Sequence, residues 1–78
     1  MFVEILTPDK KLFSGDAEYV NVPGRMGGLG ILRNHAPIIS SLKAGDVKVR
    51  DTAKKEHIFA VKGGILEVRN DKVIVLAE

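Results

Sequence analysis

The chain has 78 residues, no cysteine and a formal net charge of +2 from twelve basic and ten acidic residues. This length fits one domain, residues 1–78, because 78 residues are too few to build a second hydrophobic core. Without cysteine it forms neither a disulfide framework nor a cysteine-ligated zinc site. The basic residues are scattered, unlike the stripe that nucleic-acid binding favours. No segment has the roughly 20 apolar residues that span a bilayer.

The N-terminal run Met1–Leu6 contains Glu4 among its apolar residues and has no basic region before it. A secretory signal peptide begins with a basic region that leads into an unbroken apolar run. We therefore expect a soluble chain that reaches a membrane only through a partner.

Apolar and polar residues alternate along most of the chain, which is the pattern of strands that bury one face. Nine strands are predicted, over Phe2–Thr7, Lys11–Phe13, Ala17–Val22, Gly28–Leu32, Ile38–Leu42, Asp46–Arg50, Glu56–Lys62, Ile65–Arg69 and Val73–Ala77. Turn-forming residues separate them, at Pro8-Asp9, Ser14-Gly15-Asp16, Ala44-Gly45-Asp46, Gly63-Gly64 and Asn70-Asp71. No segment of helical length shows helical periodicity. The pattern predicts one all-β domain, a flattened antiparallel β-sandwich or barrel.

Two turns carry more specific signals. Asn70 and Asp71 tolerate the positive φ of a type I′ turn, which predicts a two-residue hairpin. Asp51–Lys55 is polar and too short for a helix, and it predicts a hairpin tip.

The strands predicted at Ile65–Arg69 and Val73–Ala77 carry apolar residues on both faces. Such runs are typical of strands that are covered on both sides. One explanation is a simply hydrophobic interior strand. The other is a protein interface on the outer surface, since contiguous apolar patches usually mark interaction sites.

The segment Pro23–Pro37 holds four glycines and two prolines in fifteen residues. A phosphate-binding loop requires a Gly-Lys-Ser/Thr ending or a following helix, and neither is present. Glycines also permit a bulge and close backbone approach, so we assign loop shape to Pro23, Gly24, Gly27, Gly30 and Pro37. Valine at Gly27 or Gly30 is expected to destabilise the loop, because a β-branched residue resists positive φ.

Catalytic chemistry has few candidate residues. The chain has two histidines, His35 and His57, its adjacent serines Ser40-Ser41 lie in a predicted strand, and its acids fall mostly at turns. These parts do not assemble into a nucleophile–base–acid set. Single-stranded nucleic-acid binding, our second hypothesis, requires aromatic side chains interleaved with basic ones, whereas the four aromatics here are scattered. A protein-binding domain is our first hypothesis, and an enzyme is the third.

The order of several motifs resembles that of one known family. The central motif is Val22-Pro23-Gly24-x-x-Gly27-x-Leu29-Gly30-Ile31-Leu32-x-x-His35-Ala36-Pro37. It is flanked by Val3-Glu4-Ile5-Leu6-Thr7-Pro8, Leu12-Phe13-Ser14-Gly15, Leu42-Lys43-Ala44-Gly45-Asp46-Val47, Gly63-Gly64-Ile65-Leu66-Glu67-Val68 and Val73-Ile74-Val75-Leu76-Ala77-Glu78. Over essentially the whole chain, this set resembles the N-terminal β-sandwich domain of the epsilon subunit of F-type ATP synthases.

The resemblance implies a flattened β-sandwich of about ten short strands. It also implies a non-catalytic place in the central stalk, at the foot of the gamma subunit and against the membrane ring of c subunits. There the subunit turns with gamma and helps couple proton or sodium flow to ATP synthesis. The expected location is peripheral, on the cytoplasmic face of the bacterial inner membrane or its organelle equivalent, and no cofactor, metal or nucleotide is implied.

Interface residues follow from the resemblance position by position. Those expected against the c-ring are Arg25, Met26, Gly27, Gly28, Leu29 and His35. Those expected against gamma are Thr7, His35 and Ser40. Family members often carry an acid at the position of Gly28 and another near Met26, whereas this chain has neither. Contact with the ring therefore falls to Arg25, Met26 and the backbone.

Typical members of the family continue past the position of Glu78 into a helical hairpin that inhibits ATP hydrolysis and, in some members, binds ATP. The sequence stops at Glu78. The resemblance therefore carries over neither inhibition nor nucleotide binding, and the chain is either a naturally short form or a fragment.

Overall fold

The computed structural model describes all of residues 1–78, as eight β-strands without a helix. The strands are β1 (Phe2–Leu6), β2 (Lys11–Gly24), β3 (Gly27–Leu32), β4 (Ile38–Leu42), β5 (Gly45–Asp51), β6 (Glu56–Val61), β7 (Gly64–Arg69) and β8 (Lys72–Ala77). The predicted all-β class is confirmed. The structure offers no helix that could span a membrane.

The strands form two layers that share β2. One layer has the order β1-β8-β7-β4, and the other places β3 and β5 on either side of β2, with β6 beside β5. The first half of β2 pairs with β1, and its last residue, Gly24, pairs with Leu42 of β4. The layers are thus joined along both edges of β2, as in a flattened barrel. All pairs are antiparallel except β1–β8, which is parallel.

The structure has eight strands instead of the nine predicted from the alternation, because β2 is continuous. The predicted strands Lys11–Phe13 and Ala17–Val22 are parts of one strand of 14 residues, and Ser14-Gly15-Asp16 is not a turn. These three residues pair with Glu4, Val3 and Phe2 of β1. Backbone pairing in the sheet overrides their turn propensity. The irregularity in β2 lies instead at Glu18, where a bulge interrupts the pairing of β2 with β5.

The core lies between the layers and is built from alternating residues of each strand. Its sixteen buried members are all apolar, mostly valine and isoleucine, and no polar side chain is fully buried. Phe13 and Phe59 pack against this cluster with ring centroids 6.1 Å apart. These two aromatics therefore serve the core instead of forming an exposed stacking platform.

Two predicted hairpins are confirmed. Asn70 and Asp71 have φ of 51° and 56°, and the flanking Arg69 and Lys72 are paired, as a type I′ turn requires. The β5–β6 tip is held by Asp51, whose Oδ1 accepts hydrogen bonds from the backbone N–H groups of Ala53 and Lys55, each at 2.9 Å.

Candidate functional site

The glycine-rich segment forms the β2–β3 hairpin, whose tip is Arg25-Met26. Gly24 pairs with Gly27 across the tip. The Met26 side chain is 99% exposed, and Arg25 is exposed beside it. The tip is tied to the end of β4, because the Arg25 N–H donates to the Ser41 carbonyl at 3.0 Å and the Lys43 N–H donates to the Pro23 carbonyl at 2.9 Å. The tip is therefore held in place by β4 and exposes one apolar and one basic side chain.

Three of the four glycines in this hairpin are constrained, each for a different reason. Gly27 has a φ of 134° and open space around its Cα. At Gly24 a side chain would meet the Gly27 carbonyl oxygen at 2.5 Å. Gly30 does not have positive φ, so our expectation for it was wrong in its reason; a Cβ there would lie 2.8 Å from the Tyr19 hydroxyl. The absence of a side chain at Gly30 thus leaves room for the Tyr19 ring.

The outer face of β1-β8-β7-β4 carries a set of apolar side chains that we call the apolar face. Leu6, Leu76 and Ile65 are in register across β1, β8 and β7, whereas in the adjacent row Glu67 lies between Ile74 and Ile39 and Glu4 lies beside Ile74. Ile39 is 73% exposed, and Ile65 and Leu76 are each 49% exposed. The row of Leu6, Leu76 and Ile65 is contiguous apolar surface, which marks an interaction site. It favours the second of our two explanations for the doubly apolar strands.

The opposite outer face, on β3-β2-β5-β6, is more polar. Beside the β5–β6 tip, Glu18 accepts a hydrogen bond from Lys54 Nζ at 2.8 Å and lies 4.0 Å from Arg50, whose guanidinium lies over the Tyr19 ring. Its exposed apolar residues, Leu32 and Ile58, are separated from each other by β2 and β5. This face therefore lacks the contiguity of the apolar face.

The structure brings together only part of the predicted c-ring set. Arg25, Met26, Gly27, Gly28 and Leu29 lie at the hairpin tip or on the first residues of β3. His35 follows the far end of β3, where its N–H donates to the Leu32 carbonyl. Six strand residues span about 20 Å, so His35 and the tip lie at opposite ends of this hairpin.

The predicted gamma residues lie around the apolar face but outside it. Thr7 follows Leu6, and its hydroxyl exchanges hydrogen bonds with the Lys10 backbone. Ser40 shares the inward side of β4 with buried Leu42, although it is itself half-buried. His35 lies beside the β7–β8 turn, since the neighbouring Asn34 N–H donates to Asp71 Oδ1 at 2.8 Å.

The two histidines are engaged locally. His35 Nδ1 lies 2.7 Å from the Ala36 carbonyl oxygen. His57 Nε2 lies 2.9 Å from Asp51 Oδ2, and its ring packs against Phe13. The hydrogen bond from His57, together with those from the Lys55 and Ala53 N–H groups, lowers the pKa of Asp51 below its ordinary value. These contacts brace the β5–β6 tip.

Residue-by-residue prediction missed the members of the apolar face. Ile39, Ile65 and Leu76 were not assigned to a site, although the apolar residues at both parities of β7 and β8 pointed to it. The adjacent isoleucines Ile38-Ile39 carry the same signal on β4, because one of two neighbouring strand residues must face outward.

The comparisons with known proteins agree with this architecture. Residues 1–78 match the family model described as the β-sandwich domain of the ATP synthase delta/epsilon chain. Among curated relatives, the ATP synthase epsilon chain of Brevibacillus brevis is 45% identical over 78 residues, covering 100% of this chain and 59% of that protein. The epsilon chain of Desulfosudis oleivorans is 42% identical over 76 residues, covering 97% and 57%. The chain thus spans somewhat over half the length of these relatives.

Two solved structures share the fold. A chain of the Euglena gracilis mitochondrial ATP synthase (OSCP/F1/c-ring) superposes with a TM-score of 0.90 at 17% identity, covering 96% of this chain and 48% of that one. A chain of the Tetrahymena thermophila mitochondrial ATP synthase central stalk and c-ring gives 0.85 at 20% identity, covering 99% and 62%. With a family match along its whole length, the chain belongs to the family of the ATP synthase delta/epsilon β-sandwich domain.

Proposed function

We propose that this chain is a non-catalytic central-stalk subunit of an F-type ATP synthase. In this role it binds the gamma subunit through the apolar face and contacts the c-ring through the β2–β3 hairpin tip. It turns with gamma and helps couple ion flow through the ring to ATP synthesis. Its location is peripheral, on the cytoplasmic face of the membrane that holds the ring.

The observation that carries the proposal is the uncovered apolar face in a domain of this family. The inner faces of both layers already cover each other, so they leave Ile39, Ile65 and Leu76 exposed. Burial of apolar surface gains about 25 cal/mol per Å², so this face favours association with another protein. Pro37, Ile38 and Ile39 also line a groove beside the face, with Glu67, Val68 and Arg69 opposite.

The predicted gamma residues support the same assignment. Thr7, Ser40 and His35 come from three separate segments, yet each adjoins a strand or turn of the layer that carries the apolar face. The polar groups of Thr7 and His35 suit the rim of an interface, where hydrogen bonds surround an apolar centre, whereas Ser40 lies on the inward side of β4.

The test is a titration of the cognate gamma subunit with matched isoleucine variants. Ile39→Asp and Ile65→Asp bury a carboxylate at the centre of the proposed interface, and each is expected to weaken binding at least about tenfold. Ile58→Asp is the control, because Ile58 is 55% exposed and lies on the opposite outer face. It is expected to change the affinity less than about twofold.

Two results would count against the proposal. One is a wild-type chain that does not bind gamma at micromolar concentration. The other is an Ile58→Asp variant that weakens binding as much as Ile65→Asp, since the contact would then not be confined to the apolar face.

A further inference from the structure

The strand β6 forms an open edge of the layer β3-β2-β5-β6. It pairs only with β5, in a continuous register that runs from Gly45↔Val61 to Arg50↔Glu56. The strand contains neither a proline nor a bulge that would prevent pairing with a further strand. Natural sheets usually protect their edges with such features. The free side of β6 is therefore open to another strand.

The free hydrogen-bonding groups of this edge belong to alternate residues. At the β5–β6 turn the Asp51 N–H donates to the Lys55 carbonyl at 2.9 Å, so these two residues form a hydrogen-bonded pair. Such pairs alternate along an antiparallel ladder. The backbone N–H and C=O groups of Glu56, Ile58 and Ala60 therefore point away from β5, and all three residues are exposed. A strand added at this edge would hydrogen-bond to them.

The side chains along β6 complement those of a second copy of the same strand. In an antiparallel pair centred on Phe59, Ile58 of one copy lies opposite Ala60 of the other. In the same register, Glu56 of one copy lies opposite Lys62 of the other. Two-fold symmetry forms each contact twice, so apolar residues meet in the middle and opposite charges meet at both ends. Cross-strand pairs of these kinds stabilise a sheet, and a shift of two residues in register would remove both charge pairs.

Glu56 and Lys62 are available for this pairing. Both are exposed, and neither belongs to any of the six ion pairs of the structure. Six residues of extended strand separate them by about 20 Å, so they cannot pair with each other within one copy. Their charges are thus satisfied by a second copy and not by the monomer.

We propose that the free chain forms a two-fold symmetric dimer through the open edge of β6. The two layers β3-β2-β5-β6 then join into one continuous sheet across the symmetry axis. Neither the apolar face nor the hairpin tip takes part, so the dimer does not depend on the proposed function. Two six-residue edges bury less surface than the about 1,200 Å² of a standard interface. The dimer is therefore weak, with a dissociation constant between about 10 µM and 1 mM.

Sedimentation equilibrium of the full chain between about 0.05 and 2 mM tests the proposal with charge variants. Glu56→Lys opposes two cations at each end of the paired strands, and Lys62→Glu opposes two anions. Each variant alone is expected to weaken dimerisation at least about fivefold. An equimolar mixture of the two restores opposite charges at both ends, and it is expected to associate at least about fivefold more tightly than either variant alone.

The control is Arg33→Glu, which changes the net charge as Lys62→Glu does. Arg33 is exposed and follows β3, at the other edge of the same layer. This variant is expected to leave the dissociation constant of the dimer within about twofold. Hydrogen exchange measured by NMR gives a second readout. The amides of Ile58 and Ala60 are expected to exchange at least about twofold more slowly at 2 mM chain than at 0.05 mM, because they become hydrogen-bonded in the dimer.

Four outcomes would overturn the proposal. The first is a wild-type chain that stays monomeric at about 2 mM. The second is a mixture of the two charge variants that associates no more tightly than either alone. The third is a dimer in which the amides of Ile58 and Ala60 exchange as fast as in the monomer. The fourth is a dimer that Ile65→Asp abolishes, since the contact would then lie on the apolar face.

Discussion

Alanine substitutions at three glycines of this domain test backbone strain and side-chain overlap separately. Gly28 has no positive φ and open surroundings; Gly27 has a φ of 134° and open surroundings. Gly64 has a φ of 148°, and a Cβ there would overlap the Leu76 carbonyl oxygen and lie 3.0 Å from the Ala77 Cα. Alanine therefore introduces neither backbone strain nor steric overlap at Gly28, backbone strain alone at Gly27, and both at Gly64.

The expected losses in the free energy of unfolding follow from these constraints. Gly28→Ala is expected to change it by no more than about 0.5 kcal/mol. Gly27→Ala forces an L-residue into a region suited to glycine, which costs about 1–3 kcal/mol. Gly64→Ala adds overlap with the backbone of β8, which cannot rotate away, for a total of about 2–6 kcal/mol. A domain of this size has about 4–12 kcal/mol in all, so Gly64→Ala removes a large part of it.

Urea unfolding followed by far-ultraviolet circular dichroism measures the series. With an m value of about 1–2 kcal/mol/M, a loss of about 3 kcal/mol lowers the midpoint by about 1.5–3 M. The urea midpoint should be highest for Gly28→Ala, lower for Gly27→Ala and lowest for Gly64→Ala. Equal losses at Gly27 and Gly64 would refute the steric part of the reasoning. A loss at Gly28 as large as at Gly27 would refute the part based on φ.

Further outcomes are expected elsewhere in the domain. Leu66→Ala opens a cavity at a fully buried position and should cost about 2–5 kcal/mol, seen as a fall in Tm of at least about 10 °C; an unchanged Tm would contradict it. Gly30→Val should displace the Tyr19 ring and raise the fluorescence accessibility of the single tyrosine; an unaltered quenching constant would contradict it. The lowered pKa of Asp51 means that its ionised form stabilises the fold above the ordinary value of 3.8 and that this stabilisation is lost as pH falls through the lowered value. The wild type should therefore lose more stability than Asp51→Asn between neutral and acidic pH, and parallel urea-midpoint curves would argue against this role.

The predicted strands and turns depended on local signals, and those signals proved reliable where neighbours did not interfere. Asn70-Asp71 formed the expected type I′ turn, because positive φ is a property of the two residues themselves. Ser14-Gly15-Asp16 also consists of turn-forming residues, yet it pairs with β1 and continues β2. The difference lies in a strand that is distant in sequence, and no local pattern reports it.

The same distinction applies to the candidate site. Arg25 and Met26 were assigned through the resemblance, and the structure places both at the tip of the β2–β3 hairpin, between the paired Gly24 and Gly27. His35 was grouped with them on resemblance, but the length of β3 separates it from the tip. Lys43 was not associated with the tip, because its place there depends on backbone bonds from β4 to Pro23 and Arg25.

By itself, the sequence determined the all-β class, the tight turns, the family resemblance and the absence of acids around the glycine segment. These features depend on composition, on alternation along the chain and on the conformational range of single residues. Only the tertiary structure decided that β2 is shared by two layers, that β1 pairs in parallel with β8, and that Leu6, Ile39, Ile65 and Leu76 form one surface. Strand alternation assigns each residue to a face, but register between distant strands decides which residues become neighbours.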